Sequence, residues 1–174
     1  MRAIGTAFRN LIAITLLGGI ASAIAAAYAK GRMLSTGAPA DDEVDLVAIY
    51  TGLDFQSTAP ALRTATVTAW YGGTTLDLRG ATLDPAGATL NVRAIFGGAR
   101  LVIPEAWPIE LRTLAFAGGV GDVRDSANVD HSLPTLTITG FAVFGGVGIL
   151  SDAPDLDRED EIEEPLFEPA ATPA

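Results

Sequence analysis

Apolar and polar residues alternate along five stretches of the chain, VDLVAIYTGLDFQS, VTAWYGGTTLDLRG, NVRAIFGGARLVIPE, LRTLAFAGGVGDVRD and GFAVFGGVGILSD. A period of two places successive side chains on opposite faces of a strand. In Leu76-Asp77-Leu78-Arg79, for example, the leucines are predicted to point inward while the charges stay in water. Each stretch is broken near its middle by an aromatic and one or two glycines, around Tyr50, Tyr71, Phe96, Phe116 and Phe144. Gly52, Gly73, Gly98, Gly119 and Gly146 recur at intervals of 21, 25, 21 and 27 residues, a spacing found in stacked repeats. One such unit cannot bury its apolar face alone, but units stacked on one another share a continuous core. The expected fold is therefore all-β: a β-solenoid or β-helix-like domain of about five repeats over residues 44–150.

The glycines are expected at the repeat corners: Gly52, Gly72-Gly73, Gly97-Gly98, Gly118-Gly119 and Gly145-Gly146. There the chain bends sharply and backbones approach closely, so a residue without Cβ that also reaches positive φ is favoured. The aromatic before each corner is expected to cap the interior. Pro104 is predicted to end a strand, Trp107 to cover the sheet, and Asp84-Pro85-Ala86-Gly87 to form a turn between units.

Ahead of the repeats the periodicity changes. After a flank of residues 1–10, residues 11–29 (LIAITLLGGIASAIAAAYA) carry no charge, with Arg2 and Arg9 on one side and Lys30 and Arg32 on the other. At about 1.5 Å per residue this stretch just crosses a hydrocarbon layer of about 30 Å, so a single transmembrane helix is expected. A cleavable secretion signal is the alternative, since Ala27-Tyr28-Ala29 offers a small-x-small site. Gly18, Ser22, Ala25 and Ala29 share one helical face, and small residues at this spacing let another membrane helix pack closely. The flanking charges nearly balance and slightly favour a periplasmic domain, the alternative to a cytoplasmic one. Residues 30–43 read as a linker.

Composition narrows the possible functions. With no cysteine and a single His131, thiolate metal sites, disulfides and a cysteine nucleophile are excluded. The net charge of −10 is uneven: residues 151–174 hold nine Asp/Glu against one Arg. This acidic, proline-punctuated tail is not expected to add to the core, and Leu166-Phe167 between its prolines has the form of a docking peptide for a partner. No basic patch suggests a nucleic-acid surface.

Catalytic constellations are equally sparse. Asp130-His131-Ser132 cannot form a triad by adjacency, because consecutive residues point apart, and is read as a solvated loop. Gly118 to Asp122 lacks the Lys-Ser/Thr of a phosphate loop. Asp122, Arg124 and Asp125 read as the wet face of a strand. No enzyme activity, cofactor, metal or small-molecule substrate is expected.

The recurring elements carry a resemblance. Gly72, Gly73, Leu76, Asp77 and Leu78, then Gly97, Gly98, Leu101, Ile103 and Pro104 with Trp107 following, resemble the C-terminal domain of LiaF-type cell-wall-stress response proteins over about residues 44–150. That resemblance implies a bacterial inner-membrane protein with its domain on the cytoplasmic side and a sensor kinase as partner. LiaF-type proteins place several membrane helices before this domain, whereas this chain has one apolar stretch and an acidic tail. One anchor, a catalytically bare domain and a docking tail fit an accessory subunit that braces other membrane protein subunits, in a respiratory or photosynthetic assembly for instance. The alternative is a LiaF-like envelope-stress regulator.

Overall fold

The computed structural model describes residues 2–151, with the side chains of 2–11 and Ser126 outside the description. Helix α1, Arg2–Lys30, comes first. At its end the amides of Arg32 and Met33 both turn back to the Ala29 carbonyl. Within it, Ile12–Lys30 is long and apolar enough to cross a membrane, with a mean hydropathy of 1.9.

Ten strands follow: β1 Glu43–Ile49, β2 Gly52–Gln56, β3 Thr64–Trp70, β4 Gly73–Asp77, β5 Ala88–Ile95, β6 Gly98–Val102, β7 Ile109–Phe116, β8 Gly119–Asp122, β9 Leu136–Val143 and β10 Gly146–Leu150. They form two parallel five-stranded sheets, ordered β1-β3-β5-β9-β7 and β2-β4-β6-β10-β8. Each odd strand turns through a two-residue corner into the following even strand of the other sheet, giving five rungs. The alternation seen in the sequence becomes burial: along β5 every second residue, from Ala88 through Leu90 and Val92 to Ala94, is buried. Leu76 and Leu78 are likewise fully enclosed, while Asp77 and Arg79 pair outside. Columns of like residues run through the stack, the clearest being Ala48, Ala69, Ala94, Ala142 and Ala115.

The rungs do not stack in chain order. The fifth (β9–β10) lies between the third and the fourth (β7–β8), so β7 and β8 form one end of the stack. Inward composition explains the exchange. The fifth rung presents Leu136, Ile138, Ala142, Val147 and Ile149, all buried. In the fourth rung the corresponding columns receive Thr113 opposite Gly140 and Asp122 opposite Ile149. The more apolar rung takes the position covered on both sides, and the one with an inward carboxylate takes the edge. Leu150 and Ser151, the last described residues, therefore lie on an inner rung and not at the end of the stack.

The opposite end is covered by the linker. Thr36 pairs antiparallel with Asp45 of β1, and Ser35 Oγ accepts from the Val47 amide at 2.9 Å. Trp107 is 8% exposed and belongs to the core, where it covers the rung connection that begins at Ile103 and Pro104.

Candidate interaction surfaces

At the corners, positive φ falls not on the glycines but on the residue before them. Tyr50, Tyr71, Phe96, Ala117 and Phe144 have φ between +49° and +54°, which corrects the expectation that the glycines supply this conformation. A left-handed non-glycine residue costs about 1–2 kcal/mol. The aromatics recover a similar amount by stacking, worth about 0.5–1.5 kcal/mol per pair. Tyr50 and Tyr71 stack at 5.3 Å, Tyr71 and Phe96 at 4.9 Å, and Phe96 and Phe144 at 4.9 Å. These rings form a ladder outside the core rather than capping it: Tyr50 and Phe144 remain 42% and 46% exposed. Phe116 meets Phe144 edge-on, because on its rung Ala117 takes the left-handed place.

The glycines divide into two columns with different causes. Gly72, Gly97, Gly145 and Gly118 follow the turn residue, and a Cβ on any of them would strike the carbonyl oxygen of the neighbouring rung at Thr51, Gly72, Gly97 and Gly145 respectively. Thr51 holds the equivalent place on the first rung, which has no rung beyond it. Gly52, Gly73, Gly98, Gly146 and Gly119 open the even strands, and none has an atom closer than 3.5 Å to a built Cβ. The space there is open. Gly52, Gly73, Gly98 and Gly146 pave an outward groove of about 510 Å³ on the second sheet, edged by Asp54, Thr75 and Arg100.

Helix α1 is tied to the start of the ladder. Tyr50 Oη donates to the Ala23 carbonyl at 2.7 Å, Tyr71 Oη to the Gly19 carbonyl at 3.1 Å, and Trp70 Nε1 to Ser22 Oγ at 3.1 Å. Successive rungs thus reach carbonyls four residues apart, about 6 Å of helix for about 4.8 Å of sheet, so the helix runs along the stack at this point. The rungs with tyrosine are those the helix covers; farther along the ladder the rings are phenylalanine. Of the small-residue face expected on α1, Ser22 and Ala29 turn toward the domain, whereas Gly18 and Ala25 are exposed. Among the described side chains of α1, Ala26 is the one buried completely.

At the β7–β8 end the charges read from sequence as a wet face are structural. Asp122 occupies an inward column, and Arg124, its side chain 3% exposed, pairs with it at 3.1 Å. Arg124 Nη1 also donates to the Pro104 and Trp107 carbonyls at 2.9 and 3.1 Å. The pair closes the core where no further rung covers it. Beside it lies a cleft of about 500 Å³ that Glu110, Asp125 and His131 help to line. Asp130-His131-Ser132 is a turn in which Asp130 Oδ1 accepts from the Ser132 amide and hydroxyl at 2.9 and 2.6 Å. The Ser132 hydroxyl holds the Asp130 carboxyl below the usual carboxylate range. Among the described residues, no group of three His, Asp or Glu side chains is placed to hold a metal ion.

Leu166 and Phe167, expected from the sequence to dock a partner, lie outside the described residues. The aromatic ladder, its bonds to α1 and the Asp122–Arg124 closure are the features that sequence reasoning missed. The regular aromatic before each glycine was the available signal for the first of them. Comparison of the chain with protein-family models, with curated proteins and with solved structures finds no match.

Proposed function

We propose that this chain is a non-enzymatic, membrane-anchored accessory subunit, in which a β-solenoid with exchanged fourth and fifth turns braces a larger membrane protein complex. The observation that carries this reading is the attachment of α1: a helix apolar enough to cross a bilayer is fastened by three side chains to a stiff ladder of stacked rungs. A domain held in this way transmits position rather than chemistry. The exposed Gly18 and Ala25 offer a further helix close approach, and the open glycine groove offers a flat seat for a partner. The tail from 151 to 174, with Leu166 and Phe167, is the third contact.

The second reading is a LiaF-like envelope-stress regulator whose domain binds a sensor kinase. It is favoured by the recurring Gly-Gly-x-x-Leu elements, and the same resemblance favours a bacterial inner membrane with the domain on the cytoplasmic side. Native purification of the full chain from membranes separates the two. Stoichiometric recovery of a large membrane assembly supports the brace, and recovery of a histidine kinase supports the regulator. A partner-free monomer contradicts both.

A further inference from the structure

The points at which α1 is fastened conflict with a helix that crosses the bilayer. Gly19, Ser22 and Ala23 lie 11, 8 and 7 residues before Lys30, or about 10–17 Å along the axis. In a helix spanning a layer of about 30 Å from Ile12 to Lys30, these residues sit near its middle. The bonds from Tyr50, Trp70 and Tyr71 would then draw the corner into hydrocarbon, together with exposed Thr51, Asp54 and Arg93. Charged groups at that depth are strongly disfavoured. With these bonds in place, α1 does not span the bilayer.

The surface beside the helix is suited to a different arrangement. The ladder continues without a break from helix-covered Tyr71 to Phe96 and Phe144, and then to Phe116. Its far end is bare: Phe116 is 67% exposed and Leu114, on the same outward side of β7, is 77% exposed. Leu114 stands in register with Phe141 and Arg93 across β9 and β5. On α1 itself Leu17, Ile20 and Ile24 are all more than half exposed. Arg32 stacks over Tyr28 at 4.7 Å just past the apolar stretch, and with Lys30 and Arg93 it adds cationic groups. Apolar rings beside an apolar helix, with cations at the end of its apolar stretch, match the boundary between anionic headgroups and acyl chains.

We propose that this corner is a bilayer-docking face: α1 lies in the plane of an anionic membrane surface, tied to the domain by Tyr50, Trp70 and Tyr71, and Leu114, Phe116, Phe141 and Phe144 enter the interface beside it. The proposal rests on the membrane attachment argued above, but not on packing of α1 against another membrane-spanning helix, which requires the spanning geometry. It commits to a lipid surface rather than to a second copy of the chain.

The absence of cysteine from the sequence allows a direct test on the full chain. Single cysteines at Leu114 and Phe116, with Asp54→Cys on the opposite sheet as a control, are labelled with a polarity-sensitive fluorophore. Each protein is mixed with unilamellar vesicles of phosphatidylcholine and phosphatidylglycerol. The expected result is a blue shift at 114 and 116 but not at 54. Cysteines at Gly5 and Gly31 are expected to react equally with a membrane-impermeant thiol reagent added outside. The double substitution Leu114→Asp, Phe116→Asp should weaken vesicle binding about tenfold and leave the denaturation midpoint unchanged. Binding with unshifted labels at 114 and 116, or with one helix end protected until detergent is added, overturns the in-plane geometry while leaving membrane attachment standing. A shift that depends on protein concentration without lipid assigns the face to a second copy and overturns the proposal. Failure of the full chain to bind vesicles overturns both the proposal and the attachment.

Discussion

Tyr50 donates its phenolic hydroxyl to the carbonyl oxygen of Ala23, 27 residues earlier in the chain, at 2.7 Å. One rung on, Tyr71 does the same to Gly19. With the bond from Trp70 Nε1 to Ser22 Oγ, these two hold the helix to the domain, and each neutral hydrogen bond is worth about 1 kcal/mol net. The double substitution Tyr50→Phe, Tyr71→Phe keeps the ring stack but removes both bonds. Hydrogen exchange should speed up where α1 meets the domain, from Gly19 to Ala26, while β3 and β5 keep their protection. Unchanged exchange in α1 would show that the hydroxyls do not hold it.

The two glycine columns are expected to respond in opposite ways to the same substitution. At Gly145 a Cβ meets the carbonyl of Gly97, so Gly145→Ala should cost about 3 kcal/mol through overpacking against backbone. At Gly73 nothing lies within 4 Å of a built Cβ. Gly73→Ala should therefore be neutral, or stabilising by about 0.5 kcal/mol through reduced freedom of the unfolded chain. Urea denaturation of the two variants reads the difference directly, and equal losses would contradict the assignment of only one column to close packing.

Arg124 and Asp122 close the core as a pair. Arg124→Met alone leaves the Asp122 carboxylate and two carbonyls without their donor, and should cost about 1–2 kcal/mol. Asp122→Leu with Arg124→Met removes both charges and should restore most of that stability. The double variant also loses the inward charge that blunts the β8 edge, so it should self-associate at concentrations where the native chain does not. Chemical denaturation and sedimentation velocity measure the two effects.

Much of this architecture was legible in the sequence. The period-two alternation around Leu76 and Leu78, the five aromatic-glycine interruptions and the single apolar stretch at the start are local patterns, and local periodicity translates directly into strands, corners and a helix. The exchange of the fourth and fifth rungs was not legible, because it depends on comparing inward residues of separate units once they are aligned: Asp122 reads as a wet strand position until register places it opposite Ile149. The corner conformation was misread for a related reason. Glycine is the residue that positive φ favours, yet here a ladder of stacked rings lets the aromatic adopt it, while the glycine beside it is needed for the carbonyl that passes close by. The contact of Tyr50 and Tyr71 with α1 joins segments far apart in the chain, and nothing in either segment's own pattern announces it.

Acid should remove one local contribution selectively. The Arg79 guanidinium that hydrogen-bonds the Asp77 carboxylate at 2.8–3.2 Å holds its pKa below the usual carboxylate range. Because the folded-state pKa is depressed, the stabilisation is present above the unfolded value of about 3.9 and is lost as pH falls through the folded value below it. Asp77→Asn should therefore lower stability by up to about 1 kcal/mol at neutral pH, and the gap to the native chain should close on acidification. Thermal denaturation across that pH range checks the sign.

Membrane flotation of lysates containing either the full chain or a chain beginning at Gly31 tests most directly whether α1 places this domain on a bilayer. The full chain should float with the membranes, and the shortened chain should stay in the soluble fraction as a folded β domain. A full chain that remains soluble, or a shortened chain that still floats, would contradict membrane attachment through α1.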